Sequence, residues 1–164
     1  MKRLFLPGAL LMFILVSCSL PNPRLETAAN HAAALPADLP ANPLEWKVIT
    51  SEVDHPQATM STLFGNDLAI QYARSHSDHN YPAGAVLSFV TWKQQEDIRW
   101  FGAKIPADPR SVEFVSIDFA PNHQPTYTYR AFEGAPLRQD VNQVTSNPEG
   151  RAAYILAQHA AVLP

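Results

Sequence analysis

The chain is predicted to adopt an α+β fold, an antiparallel β-sheet with short flanking helices. Three observations carry this. Ala85–Lys93 (AVLSFVTWK) is dense in β-branched and aromatic residues, as a buried strand requires. Further short segments with two-residue alternation surround it. Helical spacing appears only in two short stretches, one before and one after most of the strands, so the helices are segregated rather than alternating.

In chain order, Ser61–Phe64 (STLF) reads as a short strand. Gly65-Asn66-Asp67 then offers a turn and a helix cap, with Asn66 or Asp67 as N-cap. Leu68, Ala69, Tyr72 and Ala73 share one face, so residues 67–75 form a short amphipathic helix. Residues 76–84 (HSDHNYPAG) are a loop ending in turn residues. The strand Ala85–Lys93 has one face made of Ala85, Leu87, Phe89 and Thr91 and another of Val86, Ser88, Val90 and Trp92. Ile98–Ile105 is a second strand, with Gly102 at a bulge or bend. Val112–Phe119 is a third. Tyr127–Phe132 is a fourth, with Tyr127, Tyr129 and Ala131 on one side. Ser146-Asn147-Pro148-Glu149 opens a final helix, proline sitting near its first turn.

The N-terminus has the parts of an export signal. Lys2 and Arg3 are the positive region, and Leu4–Val16 is an apolar run broken only by Pro7 and Gly8. That run is shorter than the roughly 20 residues of a permanent membrane helix. It closes on Leu15-Val16-Ser17-Cys18, which resembles the lipobox of bacterial lipoproteins. The resemblance implies that residues 1–17 are removed and that Cys18 carries acyl chains such as palmitate. Cys18 is the only cysteine, and an unpaired thiol in an exported protein needs an explanation that acylation supplies. Ser19 stands where aspartate usually marks inner-membrane retention, which favours the outer membrane, with the domain facing the periplasm. Residues 18–43 are rich in proline and alanine and read as a lipidated tether, with a fragile helical turn at Glu26–Ala34. The folded domain is expected over 44–164.

Several function classes drop out. The full chain has a formal charge of −3, and removing residues 1–17 takes away two of its cations, so nothing attracts nucleic acid. A single cysteine excludes a disulfide framework, a CxxC metal site and a CxxCH haem attachment. No Ser/His/Asp arrangement, phosphate-cradling glycine loop or HExxH occurs.

Three stretches taken together resemble the cytochrome P-460 family. They are Ser61–Arg74 (STLFGNDLAIQYAR), Tyr81–Lys93 (YPAGAVLSFVTWK) and Trp100–Phe119 (WFGAKIPADPRSVEFVSIDF). The resemblance covers residues 60–132 and keeps the order of elements. It implies an exported antiparallel-sheet protein, often a homodimer, whose characterised members hold a c-type haem and oxidise hydroxylamine or bind gases such as nitric oxide. In those members the haem hangs from a C-terminal CxxCH, and a strand lysine can cross-link to it. Here the C-terminal segment has no cysteine, and Phe89 stands where relatives often have lysine. Both departures remove covalent attachments, and an aromatic ring fills space a macrocycle needs.

The residues leave three readings. The first is a haem-free, membrane-anchored binding or accessory module. The second is a haem oxidoreductase or gas binder with non-covalent haem on His159; the plainer account of His159 is a histidine favoured near a helix C-terminus. The third is a divalent-metal lipoprotein using His76, Asp78 and His79 beside Arg74, against a solvated loop; Asp54-His55 is a weaker pair. Tyr72, Tyr81, Trp92, Trp100, Tyr127 and Tyr129 are candidates for a ligand pocket or for simple core. Lys104 and Asp118 are a candidate acid-base pair.

Overall fold

A computed structural model describes residues 29–120, 125–140 and 147–161 of the chain. Its strands are β1 (Lys47–Asp54), β2 (Thr59–Gly65), β3 (Val86–Glu96), β4 (Lys104–Phe119), β5 (Pro125–Glu133) and β6 (Arg138–Gln139). They form one antiparallel sheet in the order β1-β2-β3-β4-β5-β6. Helix α1 (Asp67–Ser75) lies between β2 and β3, and α2 (Pro148–Leu156) follows the sheet. The α+β expectation holds, mostly as sheet.

The junction between β2 and α1 explains the Gly-Asn-Asp motif. Asn66 caps the helix by accepting from the Ala69 amide at 3.0 Å, and its Oδ1 also accepts from Val86 N at 3.2 Å. Its Nδ2 donates to the Gly84 carbonyl at 2.8 Å, and its own amide donates to Val86 O at 3.0 Å. One side chain thus ties the start of α1 to the start of β3. Gly65 is needed because a Cβ there would lie 2.8 Å from Ile49 Cδ1 and 2.9 Å from Ala69 Cβ. Asp67, in the first turn, complements the helix dipole and pairs with Lys47 at 2.9 Å.

The sheet is covered on both sides, as the two faces of β3 anticipate. Leu87 and Phe89 join Leu63, Val115, Tyr129 and the buried face of α1 and α2 in one core. Val90 and Trp92 join Phe64, Val112, Phe114, Phe132 and Leu137 in a second. The second core is closed by the chain before β1: Ala33, Leu35, Leu39, Ala41 and Trp46 pack on it, and Trp92 Nε1 donates to Ala33 O at 3.0 Å. The folded unit therefore starts well before Leu44, because apolar residues scattered among prolines find a sheet face to cover. A 3-10 turn, His31–Ala33, falls within the expected Glu26–Ala34 turn. Cys18 lies outside the described residues.

Two strand expectations change. Residues 98–103 are not strand; β3 continues to Glu96 and turns through them, so β4 begins at Lys104. Gly102, with φ +77°, takes the third position of the Trp100–Ala103 turn, where left-handed backbone favours glycine. Pro106 and Pro109 sit inside β4, and the ladder shifts register at Trp92 opposite them, as strands do where amide donors are missing. Strand β1, which exposes Val48 and Val53 as well as Lys47, Ser51 and Glu52, has no clear alternation and is not predicted from sequence.

Gly65→Ala should lower stability by about 1–3 kcal/mol, the usual cost of overpacking. Urea unfolding measures it, and an unchanged midpoint would mean that the Ile49 and Ala69 contacts yield freely.

Candidate functional site

The helix-covered face of the sheet divides into two halves. Across the middle, Leu63, Phe89, Glu113 and Ala131 stand opposite one another on successive strands. On one side of that row the face is apolar and roofed by α1 and α2. On the other, two steps along each strand, Glu52, Ser61, Thr91, Ser111 and Glu133 form a continuous polar row. Beyond it come Asp54, Thr59 and Lys93. These rows floor an open cleft of about 810 Å³, a volume typical of ligand sites. Ser61 and Thr91 hydroxyls lie 2.9 Å apart.

The inner end of the cleft is set by an ion pair whose carboxylate is buried and whose guanidinium is half-buried. Glu113 is only 5 % exposed, and a buried carboxylate is tolerated only when paired. Arg151, in the second turn of α2, grips it with two bonds: Nε donates to Oε1 at 2.9 Å and Nη2 to Oε2 at 2.6 Å. Tyr129 O–H adds a third at 2.5 Å. The hydrogen bonds to Glu113 hold the Arg151 guanidinium above its already high range. Its plane stacks near two rings, 5.6 Å from the centroid of Phe89 and 5.0 Å from that of Tyr154. Tyr154 in turn donates to Glu52 on β1 at 2.6 Å. Burial first, then that bond, push the Tyr154 hydroxyl from 10.0 to about 12.

The residues singled out from sequence do not converge here. Asp78 accepts from the Tyr72 hydroxyl and from Asn80 at 3.2 Å, so both its oxygens are engaged. The bond to Asp78 raises Tyr72 to about 12, and the same bond lowers Asp78. His76 stacks flat on Tyr72 at 4.1 Å, its Nδ1 2.8 Å from Ser75 Oγ. His79 turns instead toward His159, ring centroids 5.2 Å apart. Among the described residues no group of three or more His, Cys, Asp or Glu is arranged to hold a metal ion. Lys104 pairs with Glu96 and Asp118 sits at the far end of β4, so they form no acid-base pair. Nor do the aromatic candidates share a pocket. Trp92 is in the opposite core, Trp100 is in the exposed turn, and Tyr129 serves Glu113. Tyr72 touches Tyr81 at 5.1 Å, while Tyr81 and Tyr127 line a cavity of about 140 Å³ that has room for a few waters.

The family is decided by one match. The cytochrome P-460 family model covers residues 40–153, well over half of the chain. The chain belongs to the cytochrome P-460 family. Among curated proteins, none matches it. The family name implies haem, but the lining of the cleft does not suit one. Iron in haem takes an axial His, Cys, Met or Tyr, and none of these lines the cleft among the described residues. Phe89, buried at 3 %, and the Arg151 stack fill its inner end. His159 lies outside this lining, against His79.

Sequence reading passed over Glu113, Arg151 and the hydroxyl row. A signal was present: Ser111-Val-Glu113-Phe-Val115 alternates so that Glu113 opposes Val112 and Phe114 across the strand. An acid at such a position demands a cation as partner.

Arg151→Met should cost about 3 kcal/mol by stranding the Glu113 charge, and Glu113→Leu in that background should recover much of it. A double variant as unstable as the single would refute the stranded charge. Protonated Tyr154 contributes stability that is full below pH 10 and is lost as pH rises toward 12. Tyr154→Phe should remove a tyrosinate absorbance component that titrates near 12.

Proposed function

We propose that this chain is a haem-free binding module of the cytochrome P-460 family, anchored by acylated Cys18 in the outer membrane and facing the periplasm. The observation that carries this reading is the make-up of the cleft. Three hydroxyls between two carboxylates offer a small polar ligand many hydrogen bonds, while the phenyl ring of Phe89 and the spent Arg151 charge occupy its inner end. A haem site needs largely apolar walls and a ligand for iron. Here the side chains are acceptors and donors for an organic molecule rather than for a metal. The lipobox ending at Cys18 supports the anchor, two or more acyl chains being enough for lasting attachment. No catalytic step is assigned to these residues.

Family membership favours a second reading, non-covalent haem in an oxidoreductase or nitric oxide binder. In it His159 is the candidate axial ligand, and it would have to leave His79 to serve.

Haem titrated into the purified chain should give the same spectrum as haem alone, before and after His159→Ala. A saturable Soret shift that disappears in His159→Ala would establish the second reading instead. Palmitate labelling in cells should be abolished by Cys18→Ser; label retained in that variant would sink the anchor.

A further inference from the structure

The turn joining β3 to β4 presents the most exposed apolar surface of the described residues. Ile98 is 97 % exposed, Trp100 71 %, and Phe101 fully so. They are neighbours on one turn, closed by Asp97 N to Ala103 O at 3.0 Å and Ala103 N to Trp100 O at 3.0 Å. None of the described residues covers them, and such a cluster in water marks a surface that meets another phase or partner.

The charges beneath the tip are paired off. Arg99 lies 3.8 Å from Asp97, whose Oδ1 also accepts the Arg99 amide at 2.8 Å, and Lys104 pairs with Glu96. The neck is therefore neutral, and a tip of Ile, Trp and Phe on a neutral neck suits the hydrocarbon-headgroup boundary, where tryptophan rings settle. The chain's entry points to the same surface. Asn30 Nδ2 donates to the Pro106 carbonyl at 2.6 Å, and Pro106 stands opposite Gln94 at the base of this hairpin. Ala29, beside it, is eleven positions after Cys18, a reach of at most about 40 Å. The lipid site is thus tethered to the hairpin's own end of the sheet.

We propose that Ile98, Trp100 and Phe101 insert into the lipid bilayer as a second membrane contact beside the acylated N-terminus. This rests on the Cys18 anchor of the preceding reading. The tip dips to the interfacial depth, does not span, and engages zwitterionic lipid without needing anionic headgroups.

The test uses the full acylated chain reconstituted into phosphatidylcholine vesicles whose acyl chains are brominated close to the headgroup. Comparing the chain with Trp100→Phe isolates the Trp100 emission from that of Trp46 and Trp92. That component should fall at least twofold in brominated relative to plain lipid, and should be unchanged by raising salt. Ile98→Ser with Phe101→Ser should reverse most of the quenching and leave the thermal midpoint unmoved, since neither side chain packs in the fold. A chain that stays in the vesicles with Trp100 unquenched overturns the tip contact and leaves the anchor standing; a chain released from the vesicles overturns both. Trp100 unquenched, with a dimer that dissociates in the Ile98→Ser/Phe101→Ser variant, assigns the tip to a second copy and also overturns the proposal.

Discussion

A carboxylate buried in the middle of the central strand sets the terms for the rest of this protein. Burying Glu113 in that position requires a partner for its carboxylate, and the partner comes from α2 as Arg151. The pairing fixes where the last helix lies on the sheet. Its consequences run outward through Tyr154, which reaches Glu52 on β1, and through Tyr129 on β5. Four elements distant in sequence are thus held by one network. Well-packed apolar residues would hold them as firmly or more so, because desolvating an ion pair offsets most of its attraction. What the pair adds is position: a bidentate guanidinium accepts only one geometry, and the cleft begins where that geometry ends.

This explains which parts were legible in the sequence. The helix over 67–75, the two faces of β3 and the N-terminal cap of the last helix are local matters. Asn66 and Asn147 cap the helices they precede, and alternation in β3 reports two buried faces directly. Strand β1 was illegible because it is an edge strand that exposes polar and apolar residues alike, Val48 and Val53 among them, and is held by pairing rather than by its own pattern. The packing of 33–46 was hidden for a similar reason. Its apolar residues are spaced by prolines and gain meaning only against Trp92 and Phe114. The turn at 98–103 looked like a strand because Ile, Trp and Phe usually signal burial, whereas here they point away from both cores.

The candidate site failed to show for a different cause. Dense polar runs such as His76–His79 draw attention because their members are adjacent in sequence. In the fold each finds a private partner, Tyr72, Ser75 or His159, and the cluster dissolves. The cleft is built the opposite way, one or two polar residues from each of five strands, joined only by register. No window of sequence contains it.

The cleft, the hairpin tip and the chain's entry share one end of the sheet. Along β3 the cleft residues Phe89, Thr91 and Lys93 lead directly to Glu96 and the turn beyond, while Asn30 rests on the opposite strand of that hairpin. Burying three large apolar side chains at a membrane surface is worth roughly 1.5–3 kcal/mol apiece when complete, and interfacial insertion is partial. That falls in the range of one acyl chain, whose hold is marginal and reversible. On the proposed reading the tip alone would be too weak to retain the protein, and the acyl chains alone would leave it free to tumble on its tether. Lipid at Cys18 would then set residence and the tip orientation. In that orientation the cleft would open from the end of the sheet that faces the membrane.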